Sequence, residues 1–223
     1  MSPDRLALVY RGPASSPGCP EAVAALLRRS DWNFDVQFVG PHSRRRLSAR
    51  TLSRAVLYAQ PGGGELEPAY RRLHNRTTLL RNFVQGGGRY LGFCLGGYLA
   101  GATPGFGLLP GDTDQYIASR GARTRSDADT VLTVQWDGHD RAMFFQDGPC
   151  FLLDSDQGPA DVVARYENGL PAAVVAPFGS GAVGVVGPHP EASPDWFVDA
   201  GLPVPNPLAL DLGLDLIDRV MRT

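Results

Sequence analysis

Gly92-Phe93-Cys94-Leu95-Gly96-Gly97 is the stretch whose reading decides the fold. The apolar run Tyr90 to Phe93 leads into a cysteine with small residues two before and two after it. Strand, one tight turn, then helix is the layout of a nucleophile elbow. Its backbone segments come too close for larger side chains. Such a turn lifts the sulfur to the top of a sheet and onto a helix start, where backbone N–H groups favour thiolate over thiol. The alternative is a buried structural cysteine in a glycine-rich turn, since free cysteine packs as a small hydrophobe.

Two further motifs add chemistry to the elbow. Gly187-Pro188-His189-Pro190-Glu191 follows the apolar run Gly181 to Val186. A histidine and a glutamate two apart, just past a strand, can face one site. His189 then takes the thiol proton, and Glu191 fixes its tautomer and stabilises the imidazolium. Read blandly, the two prolines only make a turn. Upstream, the short run Ala55 to Ala59 ends in Gln60-Pro61-Gly62-Gly63-Gly64. Successive glycines expose backbone N–H groups as an oxyanion hole requires. A flexible loop is the alternative, against which Pro61 argues.

In this order the three motifs resemble the class I glutamine amidotransferase-like superfamily. Within it, the chain is most similar to the domain at the N-terminus of some biotin protein ligases and its stand-alone bacterial form. Leu8-Val9-Tyr10-Arg11-Gly12-Pro13, Gln60 to Gly64, Gly92 to Tyr98 and Gln146-Asp147-Gly148-Pro149-Cys150-Phe151 carry the likeness, which runs from about Leu6 to Glu191. The resemblance implies Cys94 as nucleophile, His189 as base and Glu191 as its orienting acid. It also implies the backbone N–H groups of Gly63 and Leu95 as oxyanion donors.

Composition fits one soluble α/β domain over residues 1–223, with no internal repeat or dividing linker. A net charge of −2 leaves no basic footprint for nucleic acid. No apolar stretch approaches the ~20 residues that cross a bilayer. Met1 to Arg5 is too polar for a signal peptide, which points to the cytoplasm. The three cysteines, Cys19, Cys94 and Cys150, are too few and odd in number for a disulfide framework. All 21 basic residues are arginine. Schiff-base catalysis, a Walker A lysine and biotinylation of the chain are thereby excluded. No segment reads as a ligase domain, so biotin ligation by these residues alone is not expected.

The strands read as Leu6–Tyr10, Phe34–Val39, Ala55–Ala59, Tyr90–Phe93, Val131–Trp136, Arg141–Phe145, Val162–Glu167, Ala172–Ala176 and Val183–Val186. Helices read as Pro20–Arg29, Pro68–Val84 and Leu208–Met221, with a short one after the polar loop Pro41–Arg50. Asp137-Gly138 and Asn168-Gly169 mark hairpins, and Gly107 to Asp129 reads as irregular. The expected fold is a three-layer, flavodoxin-like α/β sandwich. A mostly parallel sheet has helices on both faces and added antiparallel hairpin strands.

Other signals carry less. Gly179-Ser180-Gly181-Ala182-Val183-Gly184 matches a dinucleotide fingerprint, but an apolar run follows it and not a helix, so it reads as a turn. His42, His74 and His139 lack metal-ligand spacing, and no metal or cofactor is called for. Arg44-Arg45-Arg46 reads as a solvated face. Cys19, before Pro20 at a helix start, is a runner-up nucleophile or redox partner with a lowered pKa, or inert packing. Cys150 beside Gly148-Pro149, and Gly62, are candidate pocket residues, Cys150 being alternatively a core cysteine.

The expected activity is that of a cysteine-nucleophile hydrolase or amidotransferase-like enzyme cleaving a C–N bond through a thioester. Its partner is a small-molecule amide or acyl substrate. A role as ammonia donor requires a separate acceptor or synthase subunit. The alternative is a non-catalytic ligand-binding or regulatory module. Redox chemistry at an exposed thiolate is a third idea.

Overall fold

The computed structural model describes residues 5–223, so Met1 to Asp4, most of the stretch read as no signal peptide, lie outside it. The first half alternates strand and helix: β1 (Arg5–Tyr10), α1 (Cys19–Arg29), β2 (Phe34–Val39), α2 (Ala49–Leu52), β3 (Leu57–Gln60), α3 (Leu66–Leu73), α4 (Thr77–Gln85), β4 (Arg89–Phe93) and α5 (Leu95–Ala100). The second half is mainly strand: β5 (Gly111–Gln115), β6 (Thr130–Trp136), β7 (His139–Phe145), β8 (Pro149–Leu153), β9 (Asp161–Tyr166), β10 (Pro171–Phe178) and β11 (Gly181–Val186). It closes with α6 (Pro194–Asp199) and α7 (Leu210–Arg222).

Nine strands form one sheet in the order β2-β1-β3-β4-β11-β10-β9-β6-β7. From β2 to β11 every neighbour is parallel. From β11 to β7 every neighbour is antiparallel. The central parallel strands β3, β4 and β11 are buried on both sides, and β11, Gly181–Val186, has no exposed residue. That is why such strands read as continuous apolar runs and not alternations. One face packs on α1 and α7 through Val23, Leu27, Leu216 and Val220. The other packs on α3, α4 and α5 through Ala69, Leu80 and Leu99. The architecture is the expected three-layer α/β sandwich.

Local chemistry explains the ends of the elements. Pro20 sits in the first turn of α1, Glu21 follows it, and Arg28 and Arg29 close the last turn, all in favour of the helix dipole. Asp137 and Gly138 both have positive φ, 48° and 80°, and join β6 to β7 in the tight turn that Asp-Gly foreshadows. Gly179 and Ser180 link β10 to the antiparallel β11, so the dinucleotide-like glycines are a hairpin turn.

The structure departs from the sequence reading in three places. The helix expected over Pro68–Val84 starts earlier and breaks at a 3-10 turn, His74–Arg76, between α3 and α4. The region 107–129 is not wholly irregular. Within it β5 pairs antiparallel with β8, a separate ribbon that places Cys150 opposite Asp114. Its polar residues, Gly-Asp-Thr-Asp-Gln, carry no strand signal. The third unexpected element is α6, six residues beginning at Pro194.

Glycines at the elbow meet hard limits. A Cβ at Gly96 would lie 2.0 Å from the Gln60 carbonyl oxygen, and one at Gly92 would lie 2.3 Å from the Gly96 carbonyl oxygen. Both obstacles are backbone and cannot swing aside. Gly64, by contrast, faces open space. Gly96→Ala is therefore expected to cost about 1–3 kcal/mol or more by overpacking. Gly64→Ala should stay within about 0.5 kcal/mol of the parent. Urea unfolding of the two variants checks this; equal midpoints would contradict the close approach.

Candidate active site

Cys94 stands between β4 and α5 with φ 48° and ψ −106°, a left-handed backbone on a non-glycine residue. Such a conformation costs on the order of 1–3 kcal/mol and persists only where the surroundings enforce it. Here they do. The Cys94 N–H donates to the Val186 carbonyl at 2.9 Å, and its own carbonyl accepts from Gly97 and Tyr98 N–H. The Tyr90 hydroxyl donates to the Gly96 carbonyl at 2.7 Å.

The glycine loop after β3 is held as firmly. Gln60 is fully buried. Its side-chain amide donates to the Ala14 carbonyl at 2.8 Å and accepts from the Tyr58 hydroxyl at 2.7 Å. This ties the loop after β1 to the loop after β3. Gly63 packs so tightly that a Cβ there would meet Leu95 Cδ2 at 2.6 Å. Gly63, Cys94 and Leu95 line one cleft of about 270 Å³. Among the described residues, neither the Gly63 nor the Leu95 N–H donates to a backbone acceptor. Leu95 directly follows Cys94 in the chain, and Gly63 lines the same cleft.

His189 and Glu191 arrive on the loop after β11, the strand that flanks β4. His189 Nδ1 lies 2.8 Å from Glu191 Oε1. That contact fixes the Nδ1–H tautomer and leaves Nε2 for other work. The imidazole is 5% exposed, set edge-on to Phe144 and against Trp196, while its backbone N–H donates to the Phe144 carbonyl. Burial alone would lower the His189 pKa. The Glu191 carboxylate outweighs it, with help from neighbouring Cys94, and His189 is pushed up to about 10. The thiol itself donates to the Gln146 carbonyl at 3.6 Å. The structure thus brings Cys94, His189, Glu191, Gly63 and Leu95 to one place at the ends of parallel strands.

The remaining candidates divide. Gly62 belongs to the site: a Cβ there would lie 2.7 Å from His189 Cε1 and 3.4 Å from Cys19 Sγ. Cys19 lines a second cleft, of about 440 Å³, together with His189, Phe144 and Trp196. Its expected low pKa is not found. Burial, and then the negative charge of Glu191, push the Cys19 thiol up to about 12 despite its place at the start of α1. Cys150 lies in the core at 1% exposure, gives its thiol hydrogen to the Asp114 carbonyl, and lines neither cleft. Residues missed from sequence are Gln146, which borders both clefts, and Trp196. Gln146 carried no chemical pattern of its own, and Trp196 lies on the unforeseen α6.

Residues 6–114 match the family model described as biotin-protein ligase, N terminal. In structure the chain is similar to a crystal structure of a glutamine amidotransferase, with a TM-score of 0.62 at 17% identity over 88% of this chain and 99% of that one. The chain has a glutamine amidotransferase-like fold, and its residues 6–114 are similar to the biotin-protein ligase N-terminal family. A cytoplasmic protein from Salmonella typhimurium LT2 shares the fold, with a TM-score of 0.55 at 13% identity over 97% of this chain and 99% of that one. In sequence the chain is 28% identical over 221 residues to the biotin–protein ligase of Schizosaccharomyces pombe, covering 83% of this chain. It spans about a third (33%) of the length of that curated relative. The segment matched by the family model includes the glycine loop and the elbow. His189 and Glu191 lie beyond it.

The raised pKa of His189 makes stability depend on pH. A group whose folded pKa, about 10, exceeds its ordinary value of about 6.5 contributes fully below the lower value and loses that contribution as pH rises toward the higher one. Between about pH 6.5 and 8.5 stability is expected to fall by roughly 1–3 kcal/mol. Glu191→Gln should flatten that slope. Urea titrations of both proteins across this window decide it; a flat wild-type profile would refute the imidazolium–carboxylate pair.

Proposed function

We propose that this chain is a cysteine-nucleophile hydrolase or amidotransferase-like enzyme that cleaves an amide C–N bond. The observation that supports the reading is the strained Cys94, in side-chain contact with the Glu191-anchored His189, where two clefts that share Gly63 and Gln146 adjoin. In this reading Cys94 turns from Gln146 toward Nε2 and reacts as a thiolate beside the already protonated His189, the thiol proton having gone to solvent. Cys94 Sγ attacks the acyl carbon, and Gly63 and Leu95 N–H groups hold the oxyanion. The C–N bond breaks as His189 returns its proton to the departing nitrogen, leaving a thioester. Water, giving a proton to His189, adds to the thioester; the S–C bond breaks and the acid departs. With its pKa pushed up to about 10, His189 stands protonated at neutral pH, ready to give its proton to the departing nitrogen, and only the neutral imidazole left by that step takes a proton from water. Use of the released ammonia would need an acceptor or synthase subunit. Cys19, Cys94 and Cys150 are all free thiols, which goes with work in a reducing compartment such as the cytoplasm.

The second reading, a non-catalytic ligand-binding or regulatory module, is favoured by the similarity to a biotin–protein ligase of which this chain covers 33%. In that reading the same cleft holds a ligand without turning it over.

Intact-mass spectrometry with a panel of carboxamides and activated esters separates the two. Catalysis predicts an acyl adduct on Cys94 that clears in the wild type. The adduct should persist about 10²-fold longer or more in His189→Ala and be absent in Cys94→Ala. Ligand-dependent thermal stabilisation with no adduct, and a Cys94 no more reactive than Cys19, would sink the enzymatic reading.

A further inference from the structure

The charged side chains that line the cleft beside Cys94 are all acidic. Glu65, Asp127 and Asp147 line the 270 Å³ cleft, and no arginine does. Asp129 and Asp199 line the cleft beyond His189, again without an arginine. Net charge is only −2, so this bias belongs to the site and not to the whole molecule.

Asp147 is the centre of it. Its backbone is left-handed, φ 43°, on a residue where that conformation is strained. Oδ2 accepts from the Gln115 side-chain amide at 3.0 Å. Oδ1 is buried and, among the described residues, has no partner. Burial first, with the nearby Glu65 and Asp127 carboxylates, pushes the Asp147 pKa up against the Gln115 hydrogen bond, which lowers it. A second, independent observation comes from α5. The Tyr98 side chain lines the same cleft, is 8% exposed, and its hydroxyl is likewise buried without a partner. Unpaired buried oxygens cost stability until a donor reaches them. The group that satisfies a phenol oxygen, a carboxylate oxygen and the surrounding charge together is a protonated nitrogen.

We infer that the cleft beside Cys94 is a subsite for a cationic nitrogen, with Asp147 and Glu65 determining specificity. The inference rests on the reading of Cys94 as nucleophile and names its substrate class: an amide or acyl compound bearing an ammonium or guanidinium group. Within the 270 Å³ cleft itself, a substrate carboxylate would find no positive side chain.

Methanethiosulfonate reagents of similar size test this directly, since they modify thiols and differ only in charge. Rates at Cys94, followed by peptide mass spectrometry at low ionic strength and normalised to a free small thiol, give a cation-to-anion ratio. The aminoethyl reagent should outrun the sulfonatoethyl reagent by about tenfold or more. Asp147→Asn and the exposed Glu65→Gln should each lower the ratio several-fold. Asp140→Asn, a carboxylate lining a different cleft, should leave it unchanged. If Asp147→Asn fails to fold, Glu65→Gln alone decides. A ratio near one, or equal loss in Asp140→Asn, overturns the cationic subsite. If the neutral methyl reagent still modifies Cys94 rapidly, the nucleophile reading survives that failure; a Cys94 inert to all three reagents overturns both.

Discussion

The Gln60 carbonyl oxygen occupies the space that a side chain at position 96 would need, at 2.0 Å from an ideal Cβ. Much of the site follows from that contact. It allows α5 to begin immediately against the end of β3. The same approach leaves the backbone at Cys94 no regular conformation, so the residue takes the left-handed one. With the backbone turned so sharply, Cys94 stands at the strand ends and lines one cleft with Leu95 and Gly63. Gln60 contributes twice more, since its buried amide also binds Ala14 and Tyr58. One residue thus sets the distance between the glycine loop and the elbow while anchoring the loop after β1.

Two halves of the sheet supply different parts of the chemistry. The parallel half, β1 to β4 with β11, brings loop, elbow and acid–base pair to one end, as parallel strands of a three-layer fold must. The antiparallel half supplies their walls. Phe144 of β7 bridges to His189 and, with Trp196 and Phe197, encloses the imidazole in aromatic edges. The segment after β7 supplies Gln146, which accepts the thiol hydrogen, and Asp147, which charges the cleft. The hydrophobic surround explains why the His189–Glu191 pair couples so strongly: with water excluded, carboxylate and imidazolium stabilise each other more than burial opposes.

What could be read in advance follows from what each signal depends on. Cys94, His189, Glu191, Gly63 and Leu95 could be singled out in advance because a cysteine between small residues, a His-x-Glu pair and successive glycines are particular residues at fixed local spacing. The order of motifs mirrors the parallel strands that carry them. The hairpin turns at Asp137-Gly138 and Asn168-Gly169 were legible because positive φ selects few residues. The β5 strand was hidden because polar residues form it and only pairing with β8 holds it. Cys19 shows the limit of local reasoning. Its position at a helix start predicts a lowered pKa, yet the tertiary neighbours Glu191 and Cys94 and the loss of solvent raise it. Asp147 shows the same limit: nothing local reveals that Glu65 and Asp127, far away in sequence, share its cleft.

The distribution of the site along the chain bears on how its parts can vary. Residues 6–114, which match the biotin-protein ligase N-terminal model, hold the glycine loop and elbow. Their close backbone contacts are required by the fold whether or not a reaction occurs. His189 and Glu191 are different. Their pairing buries a charge that the packing of β11 against β4 does not require, and Glu191 keeps one carboxylate oxygen buried without a partner among the described residues. A buried ion pair is weak support for stability, because desolvation offsets the attraction. An apolar pair would fill the same aromatic pocket at less cost. The retained imidazole and carboxylate therefore weigh toward chemistry at Cys94, whereas the elbow alone weighs equally for catalysis and for binding.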